Sequence, residues 1–216
     1  MNKLFFILAT VFLITVGATA QSDYNKKEFF VGYSNGQVDG SAGVFTTLST
    51  FHEIGPESFH GVNVSGVYNF SRYVGLKADV SATFGSADFS GNVGTVIVPA
   101  NLTTHAKNSL YNITGGIQFK DNNVDRRLKP LGHFMVGVGH SRSDVQSSCS
   151  PAGSCNPLSI PQSRRDTGLA VVVGGGIDIK LNDRFDLRLV QFDYNPVVLK
   201  ASTLHNVRIG IGIVIK

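Results

Sequence analysis

Eight segments of the chain alternate apolar residues with small polar ones, and the links between them alternate short and long. No other feature restricts the fold as much. A period of two makes strands, and links of alternating length join strands that run up and down around a closed barrel. The alternation predicts strands over Lys27–Ser34, Phe59–Phe70, Val74–Gly85, Ser109–Phe119, Leu131–Ser141, Thr167–Lys180, Phe185–Tyr194 and His205–Ile215. Residues 71–73, 121–130 and 181–184 form polar turns at one end. Residues 35–58, 86–108 and 142–166 form long loops at the other, and 195–204 a shorter one.

Alternation gives two faces, and the question is which one points inward. In the third strand Val74, Leu76, Ala78, Val80, Ala82 and Phe84 oppose Lys77, Asp79, Ser81 and Thr83. In the fourth, Tyr111, Ile113, Ile117 and Phe119 oppose Asn112, Thr114, Gly116 and Gln118. In the eighth, Val207, Ile209, Ile211, Ile213 and Ile215 oppose Arg208, Gly210 and Gly212. A soluble lipocalin-like barrel would turn the apolar set inward. The polar face, however, is mostly Gly, Ser, Asn and Thr, which suits a narrow lumen better than a water-facing exterior. Aromatics at Tyr68, Phe70, Phe84, Tyr111, Phe119 and Phe185 mark the ends of the apolar face, as interfacial girdles do. The fold class expected is therefore all-β, an eight-stranded antiparallel up-and-down transmembrane barrel.

The N-terminus predicts export. Lys3 precedes the apolar run Leu4–Val16, and Ala18-Thr19-Ala20 is a small-x-small cleavage pattern. The run is shorter than the roughly 20 residues that span a bilayer. The expected organisation is a cleaved signal peptide over 1–20, a short periplasmic segment over 21–26 and the barrel over 27–216. Without Lys3, 18 basic side chains face 15 acidic ones, a net +3 too small and scattered for nucleic-acid binding. Cys149 and Cys155 are the two cysteines, close together in a Ser/Pro/Gly-rich stretch. In an oxidising compartment they are expected to form a loop-closing disulfide, which contributes roughly 2 kcal/mol by loop entropy.

Charges inside the strands then acquire a meaning. Lys or Arg on the lipid face near the midplane would cost roughly 2–4 kcal/mol each. Glu28, Lys77, Asp79, Asp178, Lys180, Asp186 and Arg188 all fit the polar face, as do Gln118 and Arg208. These nine are expected to form an internal network of ion pairs and hydrogen bonds that fills the barrel, with a gated ion path as the alternative. In the seventh strand Gln191 and Asp193 break the parity set by Leu187 and Leu189, which a bulge would explain.

Catalytic chemistry has few candidates. A lipid-modifying site would draw on His140 and Ser141 with Asp144 or Asp166, but parity sets His140 and Ser141 on opposite faces. His52, His60, His105, His140 and His205 fall in the loops or at outer strand ends, where clustered imidazoles could hold Zn or Cu. Asn112-Ile113-Thr114 is a glycosylation triplet buried in a strand, and Gly174-Gly175-Gly176 lacks the Lys-Ser/Thr of a phosphate loop. No enzymatic activity, cofactor or metal is expected.

The segments KKEFFVGYS, VYNFSRYVGLKADVSATFG, KPLGHFMVGVG, VVGGGIDIKLNDRFDLRLVQFDY and HNVRIGIGIVIK, in this order and spacing, resemble the small outer-membrane barrel domain of the OmpA/OmpX type in its stand-alone form. The likeness covers nearly all of the mature chain. It implies a porin-like barrel in the outer membrane of a Gram-negative cell, inserted by the barrel-assembly machinery, with variable surface loops. The chain departs from that family's common aromatic last residue by closing on Ile215-Lys216. The partners implied are outer-membrane lipid and lipopolysaccharide, the assembly machinery and an extracellular ligand bound by the loops. The expected role is structural or surface-interactive, with a narrow pore for small solutes as the alternative.

Overall fold

Period two becomes a curled sheet because the inward residues are small enough to let it close. In the computed structural model the residues described are 24–39, 52–53, 59–92, 101–151, 163–200 and 203–216. Among these residues ten strands form: β1 (Lys27–Asp39), β2 (His52–Glu53), β3 (Phe59–Asn69), β4 (Val74–Asn92), β5 (Asn101–Lys120), β6 (Leu128–Ser150), β7 (Arg164–Lys180), β8 (Phe185–Tyr194), β9 (Val197–Val198) and β10 (Thr203–Ile215). Eight are staves, in the order β1-β3-β4-β5-β6-β7-β8-β10, and β1 pairs with β10 to shut the ring. Every pairing is antiparallel. The closing seam runs from Phe29 opposite Ile215 to Asp39 opposite His205. The remaining two strands have two residues each: β2 pairs with β4, and β9 prolongs the β8–β10 hairpin.

The tight turns are held by short polar side chains that stand in for backbone partners. Ser71 Oγ accepts from the backbone N–H groups of Tyr73 and Val74 at 3.3 and 3.2 Å. Asn182 Oδ1 accepts from those of Arg184 and Phe185 at 2.9 and 2.8 Å.

The opposite end differs from the expectation of long loops. Residues 86–92 and 101–108 continue β4 and β5, 142–150 continue β6, and 164–166 open β7. On β5 the alternation persists there: Leu102, Thr104 and Ala106 are buried, while Asn101, Thr103 and Lys107 are exposed. Its outward face is polar because it stands above the hydrocarbon. The apolar residues there, Leu102, Ala106 and Leu110, sit on the inward face, the reverse of the strand below, so the period-two signal changes parity although the ladder does not.

The parity break in β8 is a bulge. Leu189 and Val190 both face outward, and the ladders to β7 and β10 slip at this point. The extra residue returns Gln191 and Asp193 to the lumen. Higher up, Pro196 interrupts the strand yet its carbonyl still accepts from Val171 N–H at 3.0 Å, and Val197 and Val198 resume the same register against β7. Val197 then packs with Leu110 and Ala170 across the outer end of the lumen, together with Leu199 and Leu204. Gly139 leaves room for it, since a Cβ there would lie 2.7 Å from Val197 Cγ1.

The outward face settles the soluble alternative. Ile113 is 66 % exposed, Leu76 53 % and Val138 54 %, whereas Lys77, Gln118 and Asp178 are fully buried. A water-soluble barrel would reverse these values. Tyr111 and Phe119, eight residues apart on β5, bracket about 20 Å of barrel height at ~3.4 Å per residue and ~40° tilt, close to an apolar band of about 25 Å.

Candidate functional site

The lumen contains a continuous chain of polar contacts. Glu28 on β1 accepts from Lys120 Nζ on β5 at 2.8 Å, and the same ammonium lies 2.8 Å from Asp178 on β7. Asp178 also receives both arms of Arg188, Nε at 2.7 Å and Nη2 at 3.1 Å. Arg188 Nη1 donates to Gln191 Oε1 at 2.8 Å, and Gln191 Nε2 donates to Asp193 Oδ2 at 2.7 Å. Arg208 on β10 donates to the same Asp193 oxygen at 2.6 Å and approaches Asp79 on β4 at 3.9 Å. Asp79 in turn accepts from Asn63 Nδ2 on β3 at 2.9 and 2.8 Å. His133 on β6 sets Nε2 3.0 Å from Asp193 Oδ1, an ionic approach off the angle of a hydrogen bond. Each of the eight staves contributes a residue. The Arg188 guanidinium also lies 4.4 Å from the centre of the Phe30 ring.

A second cluster closes the floor. Asp186 accepts from Lys129 Nζ at 3.1 Å and from Lys216 Nζ at 2.6 Å. Bidentate and charge-assisted contacts of this kind are the strong class of hydrogen bond, and here they are removed from water.

Of the nine polar residues expected inside, Glu28, Asp79, Asp178, Arg188 and Arg208 belong to the chain and Asp186 to the floor. Lys77 and Gln118 are fully buried, and their terminal atoms make no hydrogen bond. Lys180 departs from the group. It lies at the rim, where its ammonium donates to the carbonyl of Val124 at 3.0 Å and pairs with Asp183 at 2.9 Å. Parity alone put it inside, but the strand ends at this residue and the side chain turns to the turn beside it. Cys149 is disulfide-bonded, and its expected partner Cys155 lies outside the described residues.

Sequence reasoning missed Lys120, Lys129, His133 and Lys216; parity set Asn63 on the polar face but outside the nine. Lys120 shares parity with Gln118 and needed one more residue of strand. Lys129 fell in a segment read as a turn, although β6 begins at Leu128. His133 alternates with the outward Phe134, Val136 and Val138, a signal present in the sequence but unused.

The outer rim carries other polar pairs. Tyr33 and Tyr194 each stack on and hydrogen-bond to a histidine, His60 and His205. His140 Nδ1 lies 2.8 Å from Thr167 Oγ1 across the strand pair, and its contact is with that hydroxyl rather than with Ser141. Among the described residues no group of three His, Cys, Asp or Glu side chains converges on a metal-sized site. The signal-peptide reading and the His52 side chain fall outside the described residues.

With this geometry in place, the sequence as a whole matches one family model, the outer membrane protein beta-barrel domain, over residues 6–215. The chain belongs to that family. This outer membrane protein thus resides in the outer membrane, with the apolar face of its barrel in lipid. No curated protein matches it in sequence. Among solved structures it is similar to Ail, the attachment invasion locus protein of Yersinia pestis, in complex with the heparin analogue sucrose octasulfate. The identity there is 14 % over 88 % of this chain and 99 % of that one, with a TM-score of 0.49. Neisserial surface protein A aligns at 11 % identity over 90 % and 99 %, TM-score 0.49. The N-terminal β-barrel domain of Pseudomonas aeruginosa OprF aligns at 10 % over 88 % and 98 %, TM-score 0.36.

Proposed function

We propose that this outer membrane protein is a closed, non-enzymatic barrel whose work is done at the cell surface, by its outer strand ends and loops. The observation that carries this reading is the polar chain from Glu28 to Asn63, which draws on all eight staves and fills the lower lumen with paired charge. The apolar contact of Leu110, Ala170 and Val197 lies above it. A through-channel would have to break both. The β4–β5–β6 sheet supports the surface role, because it runs on for ten residues beyond Tyr111, about 34 Å along the strand. Export by the signal over 1–20, insertion by the barrel-assembly machinery and an extracellular ligand complete the proposal.

Planar-bilayer recording of the refolded full chain tests it. The expected result is no stepwise conductance, alongside loop-dependent attachment of cells that display the protein. Steady single-channel openings in the wild type would return the narrow-pore reading.

A further inference from the structure

Two tyrosines at the outer rim repeat one arrangement on two separate ladders. Tyr33 on β1 stands opposite Val62 on β3, and Tyr194 on β8 stands opposite Val207 on β10. In each case a histidine lies two residues nearer the outer end of the facing strand, His60 in the first and His205 in the second. Diagonal neighbours of this kind are within reach of aromatic side chains. Each phenol hydroxyl meets Nδ1 of its histidine, at 2.6 Å for Tyr194. The rings stack, with centroids 6.0 and 6.1 Å apart and planes 28° and 14° from parallel. The Asn35 amide nitrogen also faces Nδ1 of His60, at 3.4 Å. A ring nitrogen that faces an N–H donor is an acceptor, so the Tyr33 hydroxyl donates.

The other four tyrosines lack such a base among the described residues. Tyr24 donates to the carbonyl of Phe70, and Tyr68, Tyr73 and Tyr111 rest against Phe70, Arg72 and Phe84. Tyr111 has a histidine directly opposite, His140, but Nδ1 of that ring lies 2.8 Å from Thr167 Oγ1. An interfacial tyrosine needs only to turn its hydroxyl toward water. Tyr33 and Tyr194 turn theirs to an imidazole instead, at the end of the apolar wall formed by Val62, Ile209 and Ile211.

We propose that Tyr33 and Tyr194 are electron-donor sites that quench organic peroxyl radicals arriving from the bilayer, with His60 and His205 as the proton acceptors. A phenol gives up an electron most readily when its proton leaves at the same time, because the alternative is a radical cation. The hydrogen bond to a neutral imidazole supplies that route at an apolar border where water is scarce. One electron passes from the phenol to the peroxyl radical, and the phenolic proton moves along the hydrogen bond to Nδ1. The peroxide anion so formed takes a proton from the imidazolium through water, which restores a neutral ring. The sum is a hydroperoxide and a tyrosyl radical. That radical couples with a second peroxyl radical through a new bond between ring carbon and oxygen, so each phenol ends two radical chains. The reaction consumes the tyrosine and is stoichiometric, in keeping with a barrel that is not an enzyme. It goes beyond the surface role and does not depend on the lumen being closed.

The test uses the full chain refolded into vesicles of dilinoleoyl phosphatidylcholine, with alkylperoxyl radicals generated in the bilayer by a lipophilic azo initiator. Peptide mass spectrometry reads oxidation at each tyrosine, and conjugated-diene absorbance reads the lag before the lipid oxidises. Tyr33 and Tyr194 are expected to be consumed about tenfold faster than Tyr111, whose exposure is similar, 41 % against 47 % for Tyr33. H60F and H205F keep a stacked ring and remove the acceptor. In each, the adjacent tyrosine falls to the rate of Tyr111 while the other stays fast, and Y33F/Y194F shortens the lag. Heat-modifiable migration on a gel shows which variants are folded. The ratio among tyrosines within the wild type needs no variant, so a misfolded mutant does not shelter the proposal. Equal rates at Tyr33, Tyr194 and Tyr111 in the wild type overturn it. So does a tyrosine that stays fast beside the introduced phenylalanine, or oxidation that falls on His60 and His205 while the phenols remain intact.

Discussion

Lys77 and Asp178 share one lumen under opposite conditions. Asp178 is held by Lys120 and by both arms of Arg188, whereas the Lys77 ammonium, equally buried, has no hydrogen-bond partner. Removing one member of a buried pair strands its partners, a cost of about 3–5 kcal/mol. Asp178→Asn is therefore expected to lower the denaturant midpoint of the barrel in lipid vesicles and to introduce conductance where the wild type has none. Removing an unpaired buried charge works the other way, because its desolvation has no compensating bond. Lys77→Met, similar in length, is expected to leave the midpoint unchanged or raise it. A clear fall would show that Lys77 contributes through its long-range attraction to Asp79 and Asp193.

Elements show where register and turns set limits. The β8 bulge is one extra residue at Leu189-Val190, and a one-residue slip turns every side chain above it to the other face. Deleting Val190 is expected to drive Gln191 and Asp193 toward lipid and abolish folding into vesicles, whereas Val190→Ala should fold. The periplasmic turns carry a pH dependence. A hydrogen bond from Arg72 holds the Asp121 carboxyl below the ordinary aspartate value of 3.8, and one from Lys180 does the same for Asp183. A depressed carboxyl stabilises the fold fully above its unfolded value, and that contribution is lost as pH falls through the lower folded-state value. Stability of the wild type should therefore drop below about pH 3.8, and Asp121→Asn should flatten part of that drop in melts taken across pH 2–6. Much of this level was legible in the sequence. β8 spans Phe185–Tyr194 as the alternation predicts, and β4 starts at Val74. The strand ends above the membrane were not legible, because over residues 101–110 the apolar side chains move to the inward face and the alternation no longer continues the parity of the membrane-spanning part. Parity also put the charged residues on the inward face but said nothing of who pairs with whom. The Glu28–Lys120 and Arg208–Asp79 contacts join staves three places apart around the ring, a distance set by barrel closure rather than by anything local.

At the scale of the whole molecule, polarity is layered. Paired charge fills the lower lumen, apolar side chains meet across its outer end, and the exterior is apolar in the middle and aromatic or polar at both rims. The export signal proposed over residues 1–20 predicts a mature protein that begins at Gln21, checked by N-terminal sequencing of outer-membrane fractions. A start at Met1 in those fractions would contradict the export reading.

The prolonged β4–β7 ladders also give the barrel a front and a back. On one flank the sheet rises past Tyr111 like a shoulder, with Arg142 and Arg165 at its foot, while the next stave, β8, ends at Tyr194 just before Pro196. A cylinder of even height would be indifferent to spinning about the membrane normal. Among the described residues this one is not: in a crowded leaflet, neighbours that press on the shoulder meet rigid ladder and fixed charge, and those on the other flank meet the stacked Tyr33–His60 and Tyr194–His205 pairs. Its azimuth, as well as its depth, decides what touches it.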